Sequence, residues 1–129
     1  MEEDERLRNS MIKEITILRE MLATLLQEES FLLNNDTSSW KHLMPVRHAM
    51  IEAWHHAALH RDQIHKNWDA DGKESVACEV EILLAQVVAL TAKVQEQSTR
   101  NRLLEERVDK TFEKKSKLIL MEEPVCEQE

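Results

Sequence analysis

Residues 74–108 read ESVACEVEILLAQVVALTAKVQEQSTRNRLLEERV. Within them Val76, Val80, Leu83, Val87, Leu90, Val94, Leu104 and Val108 fall on one repeat that alternates steps of four and three residues. A helix turns once per about 3.6 residues, so this spacing lays the side chains along a single seam. The repeat passes through Gln97 and Asn101, and later through Thr111 and Lys115. Polar residues at seam positions weaken packing but fix register and partner choice. Glu106–Lys110 and Glu113–Lys117 add favourable i,i+4 pairs on an exposed face. The spacing predicts a helix from about residue 74 to about 121, followed by a short mobile acidic tail over 122–129.

On the N-terminal side of this helix lies NWDADGKES, residues 67–75, with Gly72, the only glycine in the chain. Its acidic spacing imitates a calcium loop, with Asn67, Asp69, Asp71 and Ser75 at positions one, three, five and nine. Position twelve is then Cys78, where the cage needs a bidentate glutamate, and position eight is Glu74 rather than an apolar residue. The stretch reads instead as a corner, in which Gly72 takes a positive φ and Asp71 or Ser75 caps the next helix.

Two further helices precede the corner. Residues 2–34 carry Leu7, Met11, Ile15, Leu18, Leu22, Leu25 and Leu32 on a four-three seam. Ile12, Leu26 and Leu33 are expected to widen that stripe toward a bundle. Residues 39–67 form the second helix, with Leu43, Val46, Met50, Ile51, Trp54, Ala57, Ala58, Ile64 and Trp68 facing inward. Pro45 is the local conflict, because inside a helix it removes a hydrogen bond. Asn34 and Asn35 are candidate helix ends, and NNDTSSW offers several N-caps.

Composition agrees with helices. One glycine, two prolines and no tyrosine leave little chemistry for hairpins, while straight-chain helix formers dominate. The expected fold is all-α: a single helical domain over residues 1–121, built as a three-helix up-down-up antiparallel bundle. Its helices span about 50 Å and about 70 Å for the first and third, so the third overruns its partners by about 15 residues. An uncovered apolar segment of that kind is a candidate interaction surface.

The net charge of −8 disfavours nucleic acid as a partner. No apolar run approaches the roughly 20 residues of a membrane span, and the acidic N-terminus is unlike a signal peptide, so the expected location is cytoplasmic. Cys78 and Cys126 lie far apart on the predicted third helix and are read as unpaired thiols. His56 and His60 share a helical face with Glu52, but no closed ligand set accompanies them, so no metal or other cofactor is expected. No phosphate loop or nucleophile elbow occurs, and the chain is read as a non-enzyme. Trp40, Trp54 and Trp68 recur every fourteen residues, a packing stripe rather than a base-stacking platform.

The segment LLQEESFLLNND, residues 25–36, followed by Leu43 and His48, and the segment QEQSTRNRLLEERV, residues 95–108, resemble the FlgN family of flagellar type III export chaperones. The resemblance covers nearly the whole chain. It implies a cytoplasmic bacterial chaperone that holds the terminal helices of hook–filament junction (hook-associated) proteins and brings them to the export gate. Carried over by position, the client-binding surface falls on Asn101, Leu104, Val108 and Phe112. Gate or partner docking would fall to the cluster Leu118, Ile119, Leu120 and Met121, since no tyrosine is present near the C-terminus. Two other classes compete: a homodimeric helical adaptor or structural coiled coil that buries residues 104–121, and a histidine-rich metal-binding module.

Overall fold

The computed structural model describes residues 2–110 in full and, for 111–128, the helical backbone alone. It contains helices α1 (Glu2–Leu33), α2 (Thr37–Lys66) and α3 (Glu74–Gln128), and no strand among the described residues. The fold is all-α. Leu7 and Met11 of α1 pack with Val80 of α3, and Leu25 meets Asn101, so α1 and α3 run parallel. Trp54 and Trp68 reach back to Glu14 and Asp4, so α2 runs antiparallel to α1. The up-down-up order and the long third helix are as expected. The expected helix end at Met121 and the tail 122–129 fall outside the fully described residues.

The centre of the bundle is α1. Its backbone packs against both α2 and α3, whereas α2 and α3 meet only through side chains among the described residues. That explains the burial pattern. Leu7, Met11, Ile15, Leu18, Met21, Leu25 and Leu32 are all buried, because a helix with neighbours on two sides hides a wide stripe. On α3 the seam narrows to Val80, Val87 and Val94, with Leu83 and Leu90 half-buried, because only one neighbour covers it. Each fully buried aliphatic side chain here stabilises by about 1.5–3 kcal/mol relative to exposure.

Two expectations need correction. Ile12, Leu26 and Leu33 do not widen the core; all three are exposed, since α1 already uses its two covered flanks for other residues. Val46 of α2 is also exposed. By length and composition, the Glu74–Lys110 part of α3 is apolar enough to cross a membrane. Its most apolar 18-residue window has a mean hydropathy of 1.7 and is 11% buried. Glu79 and Glu81 interrupt that run without lowering its mean enough.

The corners are made by specific caps. At the end of α1, Asn35 takes φ +57°, its N–H donates to Leu32 O, and the Asp36 N–H donates to Phe31 O. This pair of bonds is a Schellman closure with Asn in the place usually held by Gly. Asp36 then caps α2, its Oδ1 accepting from the Ser39 N–H at 3.1 Å, so α2 begins at Thr37 rather than Ser39. The helix continues through Pro45. At the second corner Gly72 has φ +72°, as read from the sequence. Neither Asp71 nor Ser75 acts as the expected cap. Asp69 Oδ1 accepts the Asp71 N–H at 2.9 Å, and Lys73, next to the helix start, sends its ammonium to Asp4 at 3.0 Å.

Helix α2 is docked differently from α3. Only Trp40 and Ala57 of α2 are buried among apolar residues, and its contact with α1 is rich in charge. Trp40, Arg47, Trp54 and Arg61 follow one another at seven-residue steps, so aromatic and guanidinium groups alternate down one face of α2, and Trp68 keeps the step just past its end. Acids of α1 meet them. Glu14, 1% exposed, accepts from Arg61 Nε at 2.7 Å and from Trp54 Nε1 at 3.3 Å. Asp4 accepts from Trp68 Nε1 at 2.8 Å and from Lys73, which also lies over the Trp68 ring. Glu28 takes Arg47 at 3.1 Å.

A buried ion pair contributes little net stability while intact, yet removing one partner leaves an uncompensated charge. Arg61→Ala is therefore expected to destabilise the fold by about 3–5 kcal/mol in urea denaturation, and the double variant Glu14→Leu with Arg61→Met to recover most of that loss. The Trp68 hydrogen bond, with Lys73 behind it, holds the Asp4 carboxyl below its ordinary value of 3.8. A lowered acid stabilises the fold fully above that ordinary value, and the contribution is lost as pH falls through the folded value. Asp4→Asn should flatten this acid limb of a stability–pH curve.

Candidate functional site

Where α1 stops and α3 continues, the bundle presents an apolar saddle. Leu32 is buried under it, while Leu33, one residue on, is 61% exposed because the chain turns away at Asn35. A hollow of about 180 Å³ is lined by Leu32, Leu33, Asn35, Leu104, Arg107 and Val108. A second, of about 410 Å³, lies next to it between Glu29, Leu33, Arg100, Leu103, Leu104 and Arg107. The two share Leu33, Leu104 and Arg107, so they form one surface. Leu103 is exposed, and Leu104 and Val108 are half-buried. Arg100 and Arg107, two turns apart, place guanidinium groups around the leucines.

The residues that the likeness to FlgN implies divide here. Leu104 and Val108 line the saddle. Asn101 lies beneath it, 1% exposed, donating from Nδ2 to Leu25 O at 2.8 Å and accepting from Gln97 Nε2 at 3.0 Å. Gln97 also donates to Glu29. These amides act within the chain: a buried polar pair on the seam fixes how α3 registers on α1. Phe112, Leu118, Ile119, Leu120 and Met121 fall outside the described side chains.

Leu33, Leu103, Arg100 and Arg107 were not read as site residues. The signal for Leu33 was present in the neighbouring Asn pair, since a helix ending there exposes its last residue. The arginines gave no such signal, because an isolated arginine in a charged helix reads as solvated surface.

Under the saddle sits a second constellation. Arg47 lies between two carboxylates, Glu28 of α1 at 3.1 Å and Glu105 of α3 at 2.9 Å, and so ties all three helices together. Glu28 is fully buried, and its Oε1 has no hydrogen-bond partner among the described residues; nor does the indole N–H of Trp40. Burial pushes the Glu28 carboxyl above its ordinary value of 4.5, against the pull of Arg47, and Glu105 adds to the rise.

Elsewhere, His56 and His60 are exposed on α2, where with Lys13 and Ile17 they border a shallow hollow. Among the described residues no three His, Cys, Asp or Glu side chains come together to hold a metal ion. Cys78 is a free, exposed thiol. No protein-family model, curated protein or solved structure matches this chain, so the likeness to FlgN rests on the residues quoted for it.

For Glu28 the sign of the pH dependence is opposite to that of Asp4. A carboxyl whose folded pKa is raised binds its proton more tightly in the folded state, so stability falls as pH rises from 4.5 through the folded value. Glu28→Gln should remove that decline, seen as a flatter melting temperature across the mildly acidic range.

Proposed function

We infer that the protein is a binding module rather than an enzyme: a cytoplasmic chaperone for type III export that covers the apolar stripe of a client's terminal amphipathic helix. The observation that carries this reading is the saddle of Leu33, Leu103, Leu104 and Val108 at the step where α1 ends and α3 goes on. A step of this kind receives a helix in the manner of helix-in-groove recognition, with leucines entering the client's apolar face and arginines meeting its polar margin. Client helices that self-assemble through the same stripe are kept apart while it is covered.

The resemblance to FlgN supports hook–filament junction proteins as the client class and an export-gate component as the second partner. Phe112 would extend the client surface, and Leu118, Ile119, Leu120 and Met121 would serve the gate. Asn101 contributes by holding the seam on which Leu104 and Val108 are mounted, and Arg47 does so from the other side through Glu105. The reading needs no metal and no cofactor.

Co-purification with the terminal helical segments of hook-associated proteins tests it. Leu104→Asp with Val108→Asp should lower recovery about thirtyfold or more, the size of a lost hot spot, while the circular dichroism spectrum stays helical. Unchanged recovery by a folded double variant would remove the saddle as the client site.

A further inference from the structure

The saddle is apolar on its floor and basic along one edge. On the α3 side Arg100 and Arg107 stand seven residues apart, about 10.5 Å along the helix, with Leu103 between them. At about 100° per residue Lys110 falls on the same edge, three residues past Arg107. All four side chains are exposed. Arg100 has no hydrogen bond or ion pair among the described residues.

Acids near this edge are few and already engaged. Glu29, the one carboxylate that lines either hollow, accepts from Gln97 Nε2. At the corner Asp36 is turned to the Ser39 N–H, and Glu105 is held by Arg47. Glu106 and Asp109 fall toward the opposite flank of α3, and Glu96 lies one turn before Arg100, outside both hollows. A chain of net charge −8 therefore carries a basic edge beside its apolar saddle.

We propose that the saddle selects an acidic amphipathic helix. Its apolar residues, at i, i+3 or i+4, and i+7, enter between Leu33 and Leu103, and its carboxylates recur every seven residues along the edge that lies against Arg100 and Arg107. This rests on the saddle as the client site, and it adds the chemistry by which a client is told from other amphipathic helices. A helix laid along α3 returns the same edge about every seven residues, so acids at that spacing meet both guanidinium groups. Lysine or arginine on that edge sets like charge on like, which costs affinity. A flat lipid surface fits less well, because Leu104 and Val108 are half-buried in the hollows and only a convex partner reaches them.

Two synthetic helical peptides with the same leucine stripe, edged with glutamate or with lysine at seven-residue spacing, serve as probes against the full chain. Fluorescence anisotropy at low salt should give the glutamate-edged peptide an affinity about tenfold higher or more. The difference should shrink to about threefold or less in 1 M NaCl, where the Debye length is about 3 Å. Arg100→Glu should abolish the preference and Arg100→Lys retain it, with the melting temperature unchanged in both, because Arg100 has no partner within the chain. Leu104→Asp with Val108→Asp should remove binding of both peptides, which separates loss of the saddle from loss of its edge.

Equal affinity for the two peptides, both still dependent on Leu104 and Val108, would overturn the acidic edge and leave the saddle as the client site. Binding of neither peptide would overturn both. Flotation with anionic phospholipid vesicles, or self-association in sedimentation, that Arg100→Glu abolishes while the peptides show no preference would give the edge to a membrane or a second copy, and would likewise overturn the proposal.

Discussion

A carboxylate in the middle of a helix bundle must find hydrogen-bond donors, and Glu14 of α1 finds Arg61 and Trp54. Much of the architecture follows from that requirement repeated three times. Asp4, Glu14 and Glu28 sit on the side of α1 that α2 covers, and each is met by a cation, two of them also by an indole N–H. Helix α2 therefore has only one direction and one register in which all three acids are answered. The other flank of α1 is apolar and takes α3 by close packing of Val80, Val87 and Val94. One helix thus holds its two neighbours by different physics. The apolar seam contributes most of the favourable energy, and the charged seam contributes specificity of placement.

The apolar seam could be read from the residues alone. Valines at seven-residue steps with leucines between them leave few alternatives to a helix with one buried stripe, and Gly72 among polar residues marks where it starts. The charged seam could not. Arg47 and Arg61 share the spacing of the tryptophans, but in a chain one-third charged a polar residue on a helical face reads as solvated. The buried acids were hidden for the same reason, although Glu14 and Glu28 lie fourteen apart, the spacing of the two arginines that they meet. Ile12, Leu26 and Leu33 show the converse error. Apolar character alone did not reveal that α1 would run out of covering surface, because that depends on how many helices surround it.

The candidate site was legible in part. Helix lengths predicted that α3 would continue past α1 with Val108 on the overrun, and the likeness to FlgN implied Leu104 and Val108 together. Leu33 was missed because its exposure is decided by a backbone event, the left-handed Asn35 that ends α1. Asn101, expected at the surface, lies under it because its amide reaches a carbonyl of α1 that sequence spacing does not reveal.

Arg47 has a consequence of a different kind. Among the described residues it is the side chain that bonds α2 to α1 and α3 together, through Glu28 and Glu105. Glu105 adjoins Leu104 in the chain, so an occupant of the saddle that displaces α3 there also changes how Arg47 divides itself between two carboxylates. Linkage is reciprocal: whatever the occupant does to the hold on Glu28, the state of Glu28 does to the occupant's affinity by the same factor. A proton on that buried carboxyl and any occupant of the surface above it would then act through the same arginine.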